Sequence, residues 1–253
     1  MLRTRSYPSE KRLAPGSRAV TGAEYGLWRA DADLAYALRH GLLDPPAPTL
    51  LSGLARLAHQ TIGHLAASYL RTPGAAERVF GRPGRCTFLH RFVVEGHWEV
   101  RADVVFWPDD GTGVTLARVL DIVGPGESLD DADATRGLAH ELAYQSFTLR
   151  RLGVDVAACG LLRLHDAAGP TAFDYLDVSA ALDRVDGAHP TATAAVAAEV
   201  DDVRAYLHGP SPTMRPDLST SSFYRPGHRA DASVHTAPEL EATLTRLGIG
   251  WPG

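Results

Sequence analysis

Apolar residues in the middle of the chain recur at every second position, and in the segments around it at every third or fourth. Residues 86–94 (CTFLHRFVV), 97–107 (HWEVRADVVFW) and 114–123 (VTLARVLDIV) carry the first pattern, which fits pleated strands with one face turned inward. The connections between them, EGH and PDDGTG, are short. Connections of that length join antiparallel neighbours, so the three strands are expected to form a meander.

Helical spacing appears on both sides of the meander. In residues 49–70, Leu51, Leu54, Leu57, Ala58, Ile62, Leu65 and Leu70 recur near a helical period and predict a helix with one core face. An earlier helix is expected around GAEYGLWRADADLAYALRHGLL, stopped by Asp44-Pro45-Pro46, and RTPGAAERVFGRPGR reads as a loop. After the meander comes a helix over 130–152, with an aspartate cluster at its start and Gly153 at its end. Strands are expected at 154–165 and 172–178, and one or two helices up to 209. A Pro-, Ser- and Arg-rich stretch then leads to a last short helix at 238–247.

This order predicts an α/β fold with helices covering a mixed sheet. The first three strands have no helical crossovers, which argues against a doubly wound nucleotide-binding fold. The chain divides into an N-terminal helical extension (1–48), a core (49–209) and an irregular C-terminal tail (210–253).

Composition narrows the function classes. With 253 residues and 45% hydrophobic content, the chain can bury a sizeable core. Its longest apolar runs, such as VAACGLL, fall far short of a membrane span, and no apolar segment follows the basic start. The expectation is a cytoplasmic protein with no membrane partner. Cys86 and Cys159 are the only cysteines, which excludes a cysteine zinc cluster or a four-cysteine iron–sulfur site within this chain. A net charge of −5 gives no global attraction for polyanions, although a local basic surface remains compatible with it. Lys11 is the single lysine, so any lysine chemistry must use it.

Two carboxylates stand where apolar residues would pack better. In the 97–107 strand, alternation puts Trp98, Val100, Ala102, Val104 and Phe106 on one face, with Asp103 beside Arg101 on the other. Asp121 is the one carboxylate in the apolar stretch 114–123, and a charge buried there needs a partner or a metal. On adjacent strands the two could share a divalent cation. Gln145 fills a gap in the Leu138, Leu142, Leu149, Leu152 stripe and is expected to face the sheet.

With RADVV, VLDIV and ELAYQSFTLRRLG in that order, the chain resembles the PD-(D/E)XK nuclease superfamily, in particular its RecB-like branch. YQSFTLRRLGV is similar to the glutamine helix motif of that branch, and His64 in GHLAASYL resembles a histidine ligand from its upstream helix. The likeness spans about residues 50 to 180. It implies a restriction-endonuclease-like core in which Asp103 and Asp121 hold Mg²⁺ or Mn²⁺, His64 is a further ligand and Gln145 a positioning residue. Such a cage uses hard oxygen ligands to activate water and neutralise phosphate charge. The lysine expected two residues beyond Asp121 is replaced by Val123. Arg101, Arg136 or Arg150 could supply its charge but not a general base, and arginines such as Arg101 and Arg150 would contact substrate phosphates.

Each residue also has a plainer role. Asp103 could pair with Arg101 on a solvated face, Asp121 could join a structural salt bridge, Gln145 could bond a backbone group, and His64 could be a boundary histidine. HELAY lacks the second histidine of a zincin helix, and GPGES lacks the Gly-Lys-Ser/Thr of a phosphate loop. Three functions follow: a metal-dependent phosphodiester hydrolase acting on nucleic acid, an inactive nuclease fold that binds nucleic acid or protein, or a metal enzyme repurposed for a small molecule.

Overall fold

The computed structural model describes residues 19–42, 50–95, 97–119, 132–165, 172–183 and 189–210, with the backbone alone at 50–59, 132–138, 165 and 172. The chain runs β1 (Val20–Thr21), α1 (Gly22–Ala30), α2 (Ala32–Arg39), α3 (Leu50–Leu70), α4 (Ala75–Phe80), β2 (Gly84–Val94), β3 (Trp98–Pro108) and β4 (Val114–Val119). It continues with α5 (Ala132–Arg151), β5 (Val156–His165), β6 (Ala172–Asp177), α6 (Ser179–Leu182) and α7 (Ala192–His208). The strands form one mixed six-stranded sheet. β2, β3 and β4 make the expected antiparallel meander, β5 lies parallel to β4 after the α5 crossover, and β6 returns antiparallel to β5.

Three elements differ from the sequence expectation. The helix expected from 22 onward is two helices, because Asp31 takes an extended backbone and its side chain accepts from the Leu34 N–H, capping α2. The stretch read as a loop before β2 contains α4, set off by Gly74 and Gly81 in the left-handed region. Residues Val20–Thr21 pair in parallel with Trp98–Glu99, so the N-terminal extension contributes a strand to the core sheet. The tail from 211, with its expected last helix, lies outside the described residues.

Helices cover both faces of the sheet. On one face Tyr25, Leu142, Tyr144, Leu149, Val196 and Val200 pack with Val100, Leu116 and Leu161; on the other, Ile62, Ala66 and Leu70 of α3 pack with Val104, Ala117, Val119 and Leu162. Tyr144 ties the N-terminal segment to α5: its hydroxyl donates to the Val20 carbonyl at 2.7 Å and its ring stacks on Tyr25 at 5.1 Å.

Alternation along β3 does not keep one face throughout. Trp98, Val100 and Ala102 join the α5 side, as does Val105, while Val104 joins the α3 side and Phe106 stacks on Phe80 of α4. β2 switches in the same place, with Phe92 and Val94 on one side and Phe88 and Cys86 on the other. The switch coincides with Leu89, whose φ is +48°, and with a missing rung. The ladder pairs Phe88 with Val104 and His90 with Ala102, skipping Leu89 and Asp103.

The N-terminal helices close against α7. Arg39 and Glu24 form a largely buried ion pair at 3.0 Å, and an Arg39 N–H donates to His208 Nε2 at 3.1 Å. Burial, and then the Arg39 charge, hold the His208 pKa below its ordinary 6.5. Folding therefore favours the neutral ring. This contribution is full above pH 6.5 and is lost as pH falls below it through the depressed value. The effect is small because the contact is exposed. In His208→Gln, the difference in melting temperature between the two sides of pH 6.5 should shrink; an unchanged difference would assign the acid sensitivity to other groups.

Candidate active site

Among the described residues, Asp103 stands where the β3–β4 ladder stops. Along one side β3 is paired with β2 over nearly its whole length; along the other it pairs first with β1, at Trp98 and Glu99, and then with β4, from Val104 onward. Asp103 is the residue just before the β4 ladder begins. There its Oδ2 accepts from the backbone N–H of Val119 at 3.0 Å. The half-buried carboxylate thus takes the place of a backbone acceptor at the end of β4. Asp121 and Val123 follow two and four residues later, outside the described residues.

α5 carries a polar group facing the sheet. Gln145 is 6% exposed, as the gap in the leucine stripe predicts, and lies between the fully buried Leu142 and Leu149. Its amide donates to Glu141 Oε1 over a long 3.4 Å, and Glu141 is ion-paired with Arg118 of β4. Arg118 immediately precedes Val119, and continuing the β3–β4 register sets it across from Asp103. The chain therefore runs Gln145, Glu141, Arg118, then the residue whose N–H binds Asp103.

Arg118 and Glu141 were not among the residues singled out from sequence. The available signal was positional: Arg118 interrupts an apolar strand face, and Glu141 lies one helical turn before Gln145. Each looked like an ordinary surface charge because their pairing depends on how α5 crosses β4.

The remaining candidates separate. His64 is exposed, and the buried residues of its helix, Ile62, Ala66 and Leu70, lie on the opposite side. At about 100° per residue, His64 points away from the sheet, so the structure does not bring it to Asp103. Arg101 is exposed on β3, two residues before Asp103 and paired in register with Arg91. Arg150 donates to the Val156 carbonyl at 3.0 Å, and Val156 pairs with Val114 at the far end of β4 from Val119. Five residues of strand, about 17 Å, thus separate that anchor from the Asp103 end, and Arg150 instead ties α5 to β5. Arg136 has only its backbone described.

Among the described residues no three His, Cys, Asp or Glu side chains come together to hold a metal ion. Burial pushes the thiols of Cys86 and Cys159 up to about 12, which leaves both as protonated, inert groups.

No family model and no curated protein matches the chain. A solved structure titled "Crystal structure of SSO0001" is similar over 86% of this chain and 87% of its own, at 11% identity and a TM-score of 0.37. A likeness of that degree assigns neither family nor activity. No helix among the described residues is long and apolar enough to cross a membrane.

Proposed function

We propose that the chain is a metal-dependent phosphodiester hydrolase of PD-(D/E)XK type, cytoplasmic, with a restriction-endonuclease-like core and an altered active site. The observation that carries this reading is the place of Asp103: a half-buried carboxylate next to the last described β3–β4 pair, bonded to Val119, two residues before Asp121 in sequence. The order α3, meander, α5 and β5 supports this reading.

Asp103 contributes one carboxylate, a hard oxygen donor of the kind a divalent cation takes. Asp103 would hold Mg²⁺ or Mn²⁺ together with Asp121, without His64. Such an ion, when bound, lowers the pKa of attacking water and neutralises charge on the phosphate. The chain's own residues orient and balance charge. The Val119 N–H fixes the Asp103 carboxylate, Gln145 buttresses Glu141, and the Arg118 guanidinium places a permanent positive charge on the strand that lacks the motif lysine. Arginine keeps its proton at all working pH values, so it balances charge and does not act as a base.

A second reading draws on the same pair. Because Arg118 already balances Glu141 and Val123 replaces the lysine, the fold could bind nucleic acid without cutting it. End-labelled single- and double-stranded DNA and RNA, incubated with the full chain in Mg²⁺, Mn²⁺ or EDTA, separate the two. The hydrolase reading expects cutting in either metal, none in EDTA, and loss in Asp121→Ala. A folded chain that cuts none of the four polymers in either metal would overturn it.

A further inference from the structure

A chain of net charge −5 that acts on a polyanion needs a local surface to attract it, and β2 with the segment before it supplies one. From residue 71 to 91 there are five arginines, Arg71, Arg78, Arg82, Arg85 and Arg91, and one carboxylate, Glu77. Two of them have partners within the fold: Arg82 donates to the Thr112 hydroxyl at 2.6 Å, and Arg91 bonds Glu99 at 2.8 Å. Arg71, like Arg101 on the neighbouring strand, is exposed, and no ion pair to either is seen among the described residues. The Arg71 guanidinium lies over the Phe88 ring at 5.1 Å, which puts it next to Leu89.

Leu89 stands between these arginines and in the rung opposite Asp103. It is 57% exposed and its backbone is in the left-handed region at φ +48°. A leucine in that conformation costs free energy that burial here does not offset, and outliers of this kind gather at functional sites. Exposed aliphatic side chains flanked by basic residues are used by nucleic-acid-binding proteins to press between or against bases.

We infer that Arg71, Leu89 and Arg101 form the seat of a polynucleotide strand beside Asp103. The two guanidinium groups hold phosphates, and Leu89 contacts a base. Arg101 lies two residues, about 7 Å, from Asp103, so a strand held there passes the carboxylate. The choice of occupant rests on the hydrolase reading; the surface itself rests on charge, exposure and backbone geometry.

The test is fluorescence anisotropy with labelled single- and double-stranded DNA and RNA oligonucleotides, using the full chain in EDTA so that nothing is cut. Combined Arg71→Glu and Arg101→Glu should weaken binding by at least about tenfold and reduce the slope of log affinity against log salt by roughly one per lost phosphate contact. Leu89→Gly, which suits the backbone angle, should weaken binding while leaving that slope unchanged. If the double charge reversal fails to fold, Arg71→Gln with Arg101→Gln replaces it. Affinity and slope unchanged in the folded variants, or no binding of any probe by the parent chain, would overturn the inference. Cleavage and binding measured side by side keep the two proposals apart. Cleavage by a parent chain whose binding ignores Arg71, Arg101 and Leu89 sinks the surface alone. Binding that depends on those residues, without cleavage, sinks the hydrolase alone.

Discussion

Asp103→Asn is expected to lower metal-dependent cleavage by at least about 10²-fold while leaving the urea midpoint close to that of the parent. Partners that merely orient metal ligands cost 10–100-fold when removed, and a carboxylate that is itself a ligand should cost no less. The fold survives because the asparagine carbonyl oxygen can still accept the Val119 N–H that Asp103 accepts at 3.0 Å. Asp103→Ala separates the two roles. It should lose the same activity and also about 1–3 kcal/mol of stability, because a buried N–H is left without its acceptor. Single-turnover cleavage and urea unfolding of both variants check this. An asparagine variant that cuts at the parental rate would leave Asp103 with its structural bond alone.

Trp98→Ala should destabilise the chain by about 3–5 kcal/mol, the range for truncating a large buried aromatic, against a total of roughly 5–15 kcal/mol typical of a domain. Trp98 is 1% exposed, opens β3, and lies in register with Val20 on one side and Val94 on the other. Its loss opens a cavity where the N-terminal segment joins the sheet. Backbone amides of residues 19–42 should therefore exchange with solvent faster than those of β5, beyond the general drop in urea midpoint. A loss under about 1 kcal/mol, well below that range, would overturn the prediction and mean that the site collapses around the smaller residue.

The meander was legible because period-two alternation and short turns are local signals. Asp110 and Gly111 make the β3–β4 turn they suggest, with Thr112 donating back to Asp110 and holding its carboxyl below the usual range. Gln145 was legible for a similar reason: one polar residue in an apolar stripe has only one direction to point. What alternation could not reveal was the change of face at Leu89 and Asp103, since a residue in left-handed backbone leaves no mark on hydrophobic spacing. β1 was missed because two residues carry no period, and α4 because its six residues are bounded by glycines that also suit a loop. His64 was singled out by likeness of motif alone; the helical angle from the buried Ile62 and Ala66 sets it on the outer side of α3.

The left-handed backbone at Leu89 also bears on how the chain avoids its own copies. Among the described residues β2 pairs with β3 alone, and none of the described strands lies along the other edge of its eleven residues. A flat border of that length invites another strand to add on. Leu89, in left-handed backbone, interrupts this edge near its middle, and the exposed Arg85 lies four residues before it. Replacing Leu89 by valine, a better strand former, would favour a straighter border and so make this protein a better template for self-association.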